Sequence, residues 1–139
     1  MSQIQDFDEA VRSAEEWVDD ITKRLGWRDS ARGYLALLAA LRALRDCLQR
    51  DDAIYLGAQL PILLRGLYYD GWHRGTHAAA RKRDAFLGRI HDSVHRDPAV
   101  DPEHVARAAL ALLTARLPSA ELEDAKAATP SDLHNLWPS

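Results

Sequence analysis

Apolar residues recur every three or four positions along almost the whole chain. Phe7, Val11, Ala14, Trp17, Val18, Ile21 and Leu25 form the first stripe, the pattern of a helix with one buried face. Asp6, Asp8 and Glu9 stand near its start, and Lys23 and Arg24 near its end. That is the charge order a helix dipole favours. Gly26 reads as its stop. A second stripe, Leu38, Leu41, Leu44 and Leu48 with Leu35 and Leu37 beside it, predicts a helix beginning after Asp29 or Ser30. Asp51 or Asp52 is expected to cap a short third helix to about Ala58. Pro61 is expected in the first turn of a fourth, through Leu63, Leu64 and Leu67.

Tyr69 to Thr76 contains two glycines and no apolar period, and reads as a connector. A helix from about Ala78 to His95 is expected to bury Phe86, Leu87, Ile90 and Val94. Asp101 with Pro102 opens the next, whose stripe is Val105, Ala109, Leu110, Leu113 and Leu117. Ser119 is expected to cap a short helix to about Ala128, and Thr129-Pro130 to open the last. No segment alternates with period two around a hairpin turn, so the expected class is all-α.

The two halves of the pattern repeat. Pairing Pro61 with Pro130 sets an offset of 69 residues. Without a gap, that offset pairs Ile21 with Ile90, Leu41 with Leu110, Leu44 with Leu113, Leu48 with Leu117, Leu64 with Leu133 and Leu67 with Leu136. Trp17 meets Phe86, and Tyr68 meets Trp137. The expectation is a single helical domain over residues 1–139. It would consist of two tandem, pseudo-symmetric four-helix units, about residues 7–72 and 78–137, packed as one bundle. Each unit alone is small enough to be marginal, so the pair would share one core. The halves also differ: Arg42 and Arg45 face Ala111 and Thr114 across the offset.

The run Leu41-Arg42-Ala43-Leu44-Arg45-Asp46-Cys47-Leu48 is followed by the acidic turn Asp51-Asp52-Ala53. Then come Leu56-Gly57-Ala58-Gln59-Leu60-Pro61 and a closing Gly71-Trp72. Together these resemble a bacterial and archaeal helical family known as domain of unknown function 2267. The family resembles a tandem of this unit, with an Ala-Gln-Leu-Pro box ending the first copy. Here the second box is degenerate, Ala127-Ala128-Thr129-Pro130, with Leu136-Trp137 after it. The resemblance spans about Phe7 to Trp137 and implies architecture; it implies no activity, cofactor or catalytic residue.

Charge refines where a partner would bind. The net charge of -3 combines an acidic first segment, residues 1–60, and an acidic last one, residues 97–139, with a basic centre. Residues 61–96 carry seven basic and three acidic side chains. The centre includes Arg74, Arg81, Lys82 and Arg83, beside Tyr69, Trp72 and His73. Aromatic and arginine side chains are enriched at interface hot spots. Tyr69, Trp72, His73, Arg74, Arg81, Lys82 and Arg83, together with the seam between the two units, are therefore the expected interaction surface, for another protein or for self-association. Nucleic acid is the alternative partner for the same basic segment. The longest strongly apolar run, residues 34–41, is too short for a membrane span. The acidic N-terminal stretch does not resemble a signal peptide. One cysteine cannot form an internal disulfide, and a cytoplasmic location is expected.

Catalytic signals are sparse. His91 and His95 stand at i and i+4, a spacing that can hold a metal on a helix. Asp92 stands where the zinc-protease helix has Glu, and no third ligand is marked. The alternative is two imidazoles placed favourably near a helix C-terminus. Cys47 lies beside the Leu44/Leu48 stripe with no histidine near it in sequence, and reads as packing. No phosphate loop, nucleophile elbow or Cys-x-x-Cys pair is present. The expectation is a cytoplasmic, non-enzymatic interaction or adaptor module without a cofactor. Metal-dependent activity at His91 and His95 is a further alternative.

Overall fold

A computed structural model describes residues 2–73 and 81–139. The chain folds as α1 (Ser2–Arg24), α2 (Ser30–Cys47), α3 (Arg50–Ala58), α4 (Ile62–Tyr69), α5 (Arg83–Ser93), α6 (Pro102–Arg116) and α7 (Ser119–Ala128). A 3-10 helix, Ser131–Leu136, closes it. The described residues form helices and loops, with no strand among them.

Several boundaries follow directly from local chemistry. α1 ends in a Schellman motif: the Trp27 amide donates to Thr22 O and the Gly26 amide to Lys23 O, each at 3.0 Å. Gly26 adopts φ 76°, a conformation that costs glycine little. Asp29 caps α2 by accepting from the Ala31 amide at 2.9 Å. Asp101 caps α6 in the same way, from the Glu103 amide at 3.0 Å.

Pro61 and Pro130 sit one position earlier than expected, and Pro118, not Ser119, is the N-cap of α7. Pro61, Pro118 and Pro130 are N-cap residues with extended ψ, and their helices begin at Ile62, Ser119 and Ser131. Their carbonyls accept the first helical bonds, from Arg65, Leu122 and Leu133. An N-cap needs no donor, so proline fits there as well as in the first turn. Gln49, not Asp51 or Asp52, is the N-cap of α3; the two aspartates lie in its first turn. α5 begins at Arg83 and ends at Ser93, inside the expected span of 78–95. Residues 78–80 lie outside the described residues.

α2 is the central element, packed against α1, α3, α4, α5 and α6. Its alanines at 36, 39, 40 and 43 are buried along with its leucines, so neighbours approach it from several sides. Most residues paired by the 69-residue offset are buried, among them Trp17 and Phe86, Ile21 and Ile90, Leu25 and Val94, Leu64 and Leu133, Tyr68 and Trp137, whereas Leu67 is only half-buried. These five buried pairs belong to one contiguous core. α5 brings Phe86 and Ile90 into that core, and α6 brings mainly leucine and alanine.

The first stripe departs from expectation. Trp17, Ile21 and Leu25 are buried, but Phe7 is 72% exposed and Val11 is 46% exposed. The N-terminal turns of α1 extend beyond the helices that would cover them, so its apolar face continues into solvent.

Candidate functional site

The residues expected to form an interaction surface divide between structural work and exposure. The Tyr69 hydroxyl donates to Ile54 O at 2.8 Å, and its ring lies 5.9 Å from that of Trp72. Trp72 is half-buried against the core. Arg81 donates to Cys47 O at 2.7 Å, at the C-terminal end of α2. Arg83 pairs with Glu103 and donates to Asn135 Oδ1 at 2.7 Å. His73 and Lys82 are exposed. Arg74 lies outside the described residues. Two of the three cations in the Arg81–Arg83 run are thus engaged within the fold.

His91 and His95 do not share a helical face. α5 stops at Ser93, and His95 and Arg96 take φ values of 59° and 52°. The Arg96 amide returns to His91 O at 2.8 Å, closing the helix end. His104 directs Nε2 to Leu25 O at 3.1 Å. Among the described residues no group of three or more His, Cys, Asp or Glu side chains is placed to hold a metal.

Cys47 is buried and donates Sγ–H to Leu44 O at 3.1 Å. Burial pushes its thiol up from 9.0 to about 12, with Arg81 opposing the shift. A neutral, enclosed thiol is a poor nucleophile. It is a stability switch at alkaline pH, because the unfolded thiol ionises first. Its contribution is complete below pH 9 and is lost as pH rises from about 9 towards 12. The expected slope is about 1.4 kcal/mol per pH unit. Urea titrations between pH 8 and pH 10 test this, and Cys47→Ala should flatten that slope. An equal slope in the variant would assign the effect to other groups.

The surface that sequence reasoning missed lies where α1, the start of α2 and α4 meet. α1 contributes Val11, Ala14 and Val18, and α4 contributes Leu63, Leu64 and Leu67. Ser30 and Tyr34 from α2 complete an open groove of about 290 Å³, with Glu15 and Asp19 on its border. Phe7 and Ile4 continue the α1 stripe beyond it, and both are exposed. Leu63 is also exposed, next to Ile62 at 65%. One signal was present in the sequence. Ile62, Leu63 and Leu64 are consecutive, and three consecutive residues of a helix cannot all face the same core.

α4 is held in place by arginines from α2. Arg42 makes two hydrogen bonds to Leu67 O, at 3.0 and 2.8 Å. Arg45 donates to Tyr68 O at 2.7 Å and Asp70 O at 3.1 Å. Arg45 also pairs with Asp46 at 2.9 Å, and Arg89 reaches the same carboxylate at 3.1 Å. These cations satisfy carbonyls at the end of α4 and oppose the negative end of its dipole. The residues 69 positions on, Ala111 and Thr114, carry no guanidinium and cannot make such a clamp.

Fold and surface together define an all-helical domain with an exposed apolar groove. Residues 14–136 match the model of a family described as an uncharacterized conserved protein, DUF2267, and the chain belongs to it. No curated protein matches the chain. Ile4, Phe7 and Val11 lie just before the matched span.

Proposed function

We propose that the chain is a non-enzymatic protein-interaction module of adaptor type, acting in the cytoplasm, and that it binds through the α1–α2–α4 face. The observation that carries this reading is the apolar stripe of α1 that runs out of the core. Ile4, Phe7 and Val11 remain in solvent, continuous with the groove against Leu63. Apolar groups gathered in a groove rimmed by charge are the usual mark of a binding surface. No helix among the described residues is long and apolar enough to cross a membrane. Against the metal-dependent alternative, His91 and His95 do not share a helical face, and among the described residues no group of three or more His, Cys, Asp or Glu could hold a metal.

The duplication belongs to the same reading: we infer two copies of one unit, of which the first bears the binding face. The Arg81–Arg83 run is a weaker surface, since Arg81 and Arg83 are engaged by Cys47, Glu103 and Asn135. The same engagement weakens the nucleic-acid alternative, because fewer cations remain for phosphate.

A random peptide library displayed on phage and selected on the immobilised full chain tests the module. Selected peptides should lose about tenfold or more in affinity on the Val11→Ser/Leu63→Ser variant, a loss in keeping with two apolar anchors. They should bind Trp72→Ala as they bind the parent chain. Peptides that ignore the groove variant and depend on Trp72 would move the site to the connector.

A further inference from the structure

We propose that the α1–α2–α4 groove receives a cationic amphipathic helix, whose apolar residues enter the groove while its Lys or Arg side chains meet the acids of α1. This rests on the reading of that face as a binding surface and names the chemistry of the partner.

The apolar part of the groove has the form of helix-in-groove recognition. Val11, Ala14 and Val18 follow one another at spacings of three and four along α1, opposite Leu63 and Leu67 of α4. A third helix lying along them would present anchors at i, i+3 or i+4, and i+7. Ala14 leaves room for its approach.

Charge selects the kind of helix. Residues 4–20 contain seven acids and a single cation, Arg12. Glu15 and Asp19 border the groove, and Asp8 and Glu16 share the adjoining surface with Val11 and Arg12, so acids outnumber the cation there. None of these four acids has an ion-pair partner among the described residues. A cationic helix would meet them favourably, and its encounter would be steered by the same field. A second copy of this face would set acid against acid, and so would an anionic membrane surface.

The second half shows what a closed version looks like. At the offset of 69, Ala14, Tyr34 and Leu63 correspond to Arg83, Glu103 and Asp132. There Arg83 pairs with Glu103, its backbone amide lies 3.4 Å from Asp132 Oδ2, and its guanidinium reaches Asn135. Those positions satisfy one another within the chain. The first half has Ala14, Tyr34 and Leu63 at these places; Ala14 is half-buried, and Tyr34 and Leu63 are exposed.

Two fluorescein-labelled model peptides of 14 or more residues test the proposal by anisotropy with the full chain. Both carry leucine at i, i+3, i+4 and i+7; one has lysine elsewhere and the other glutamate. The lysine peptide should bind at least about tenfold more tightly than the glutamate peptide. Its affinity should fall several-fold between about 50 mM and 500 mM salt, as screening predicts. Val11→Ser/Leu63→Ser should weaken it about tenfold, and Glu15→Lys/Asp19→Lys should remove most of its salt dependence. These residues are exposed or border the groove, and circular dichroism of each variant checks that it is folded. Equal binding of both peptides, lost in the groove variant, overturns the cationic partner and leaves the binding face standing. Binding of the lysine peptide that neither variant changes is diffuse attraction and overturns both. Sedimentation showing a dimer that Val11→Ser dissociates assigns the groove to a second copy and overturns the proposal.

Discussion

Arg45→Met is expected to lower stability by about 3–5 kcal/mol, read as a shifted urea midpoint at unchanged slope. Methionine keeps most of the side chain's length and its apolar packing, so the loss isolates the guanidinium. Arg45 is only 6% exposed. Its removal takes away the donors of Tyr68 O and Asp70 O and one partner of Asp46. Carbonyls left unsatisfied in a closed site each cost about 1–3 kcal/mol. Arg45→Lys should recover little, because an ammonium cannot fork between a carboxylate and two carbonyls. Arg89→Met is the control. Its side chain is 41% exposed and shares Asp46 from the outside, so its loss should cost no more than about 1 kcal/mol. Arg45→Met should also loosen the end of α4, seen as faster amide exchange at Asp70, whose N–H bonds to Gly66 O. A loss below about 1 kcal/mol would mean that water replaces the guanidinium without penalty.

That clamp marks the boundary of what could be read from residue order. The leucine periodicity located α2 and α6, because helices buried on several sides carry dense apolar stripes. The caps at Asp29 and Asp101 and the stop at Gly26 followed from chemistry that acts within two or three residues. Arg42 and Arg45 were visible as differences between the halves, but their carbonyl partners lie some 25 positions away. No local pattern encodes such a pairing. The same limit explains the basic centre. Arg81 and Arg83 look like a free surface until Cys47 O, Glu103 and Asn135 come to meet them. The stripe from Phe7 to Leu25 predicted a helix correctly, yet periodicity reports only that one face is apolar. Whether a neighbour covers that face depends on where α4 lies, and here the cover ends near Val11. The 3-10 form of the last helix was equally hidden, since its six residues are too few to show a period.

Gly33→Ala is expected to cost about 3 kcal/mol, at the upper end of what overpacking a close contact costs. A methyl group at Gly33 would lie 1.8 Å from Thr22 Oγ1 and 2.9 Å from Thr22 Cβ. Rotating the hydroxyl away would break its bond to Val18 O, now 2.6 Å, and would leave the Cβ contact in place. α1 and α2 would have to separate. Ser30 and Tyr34 lie within a turn of Gly33 and line the groove, so the displacement would reach the proposed binding face. Gly66→Ala is the informative contrast. A methyl there meets nothing within 4 Å, and the position lies inside α4. It should stabilise the chain by about 0.5–1 kcal/mol through helix propensity alone. Thr22→Gly combined with Gly33→Ala moves the small residue to the opposite helix. It should recover more than half of the loss, less the roughly 1 kcal/mol that a helical glycine costs. Additive losses in the double variant would show that Thr22 and Gly33 do not meet. Recovery of stability together with peptide affinity would place the α1–α2 crossing under the groove as the contact that sets its width.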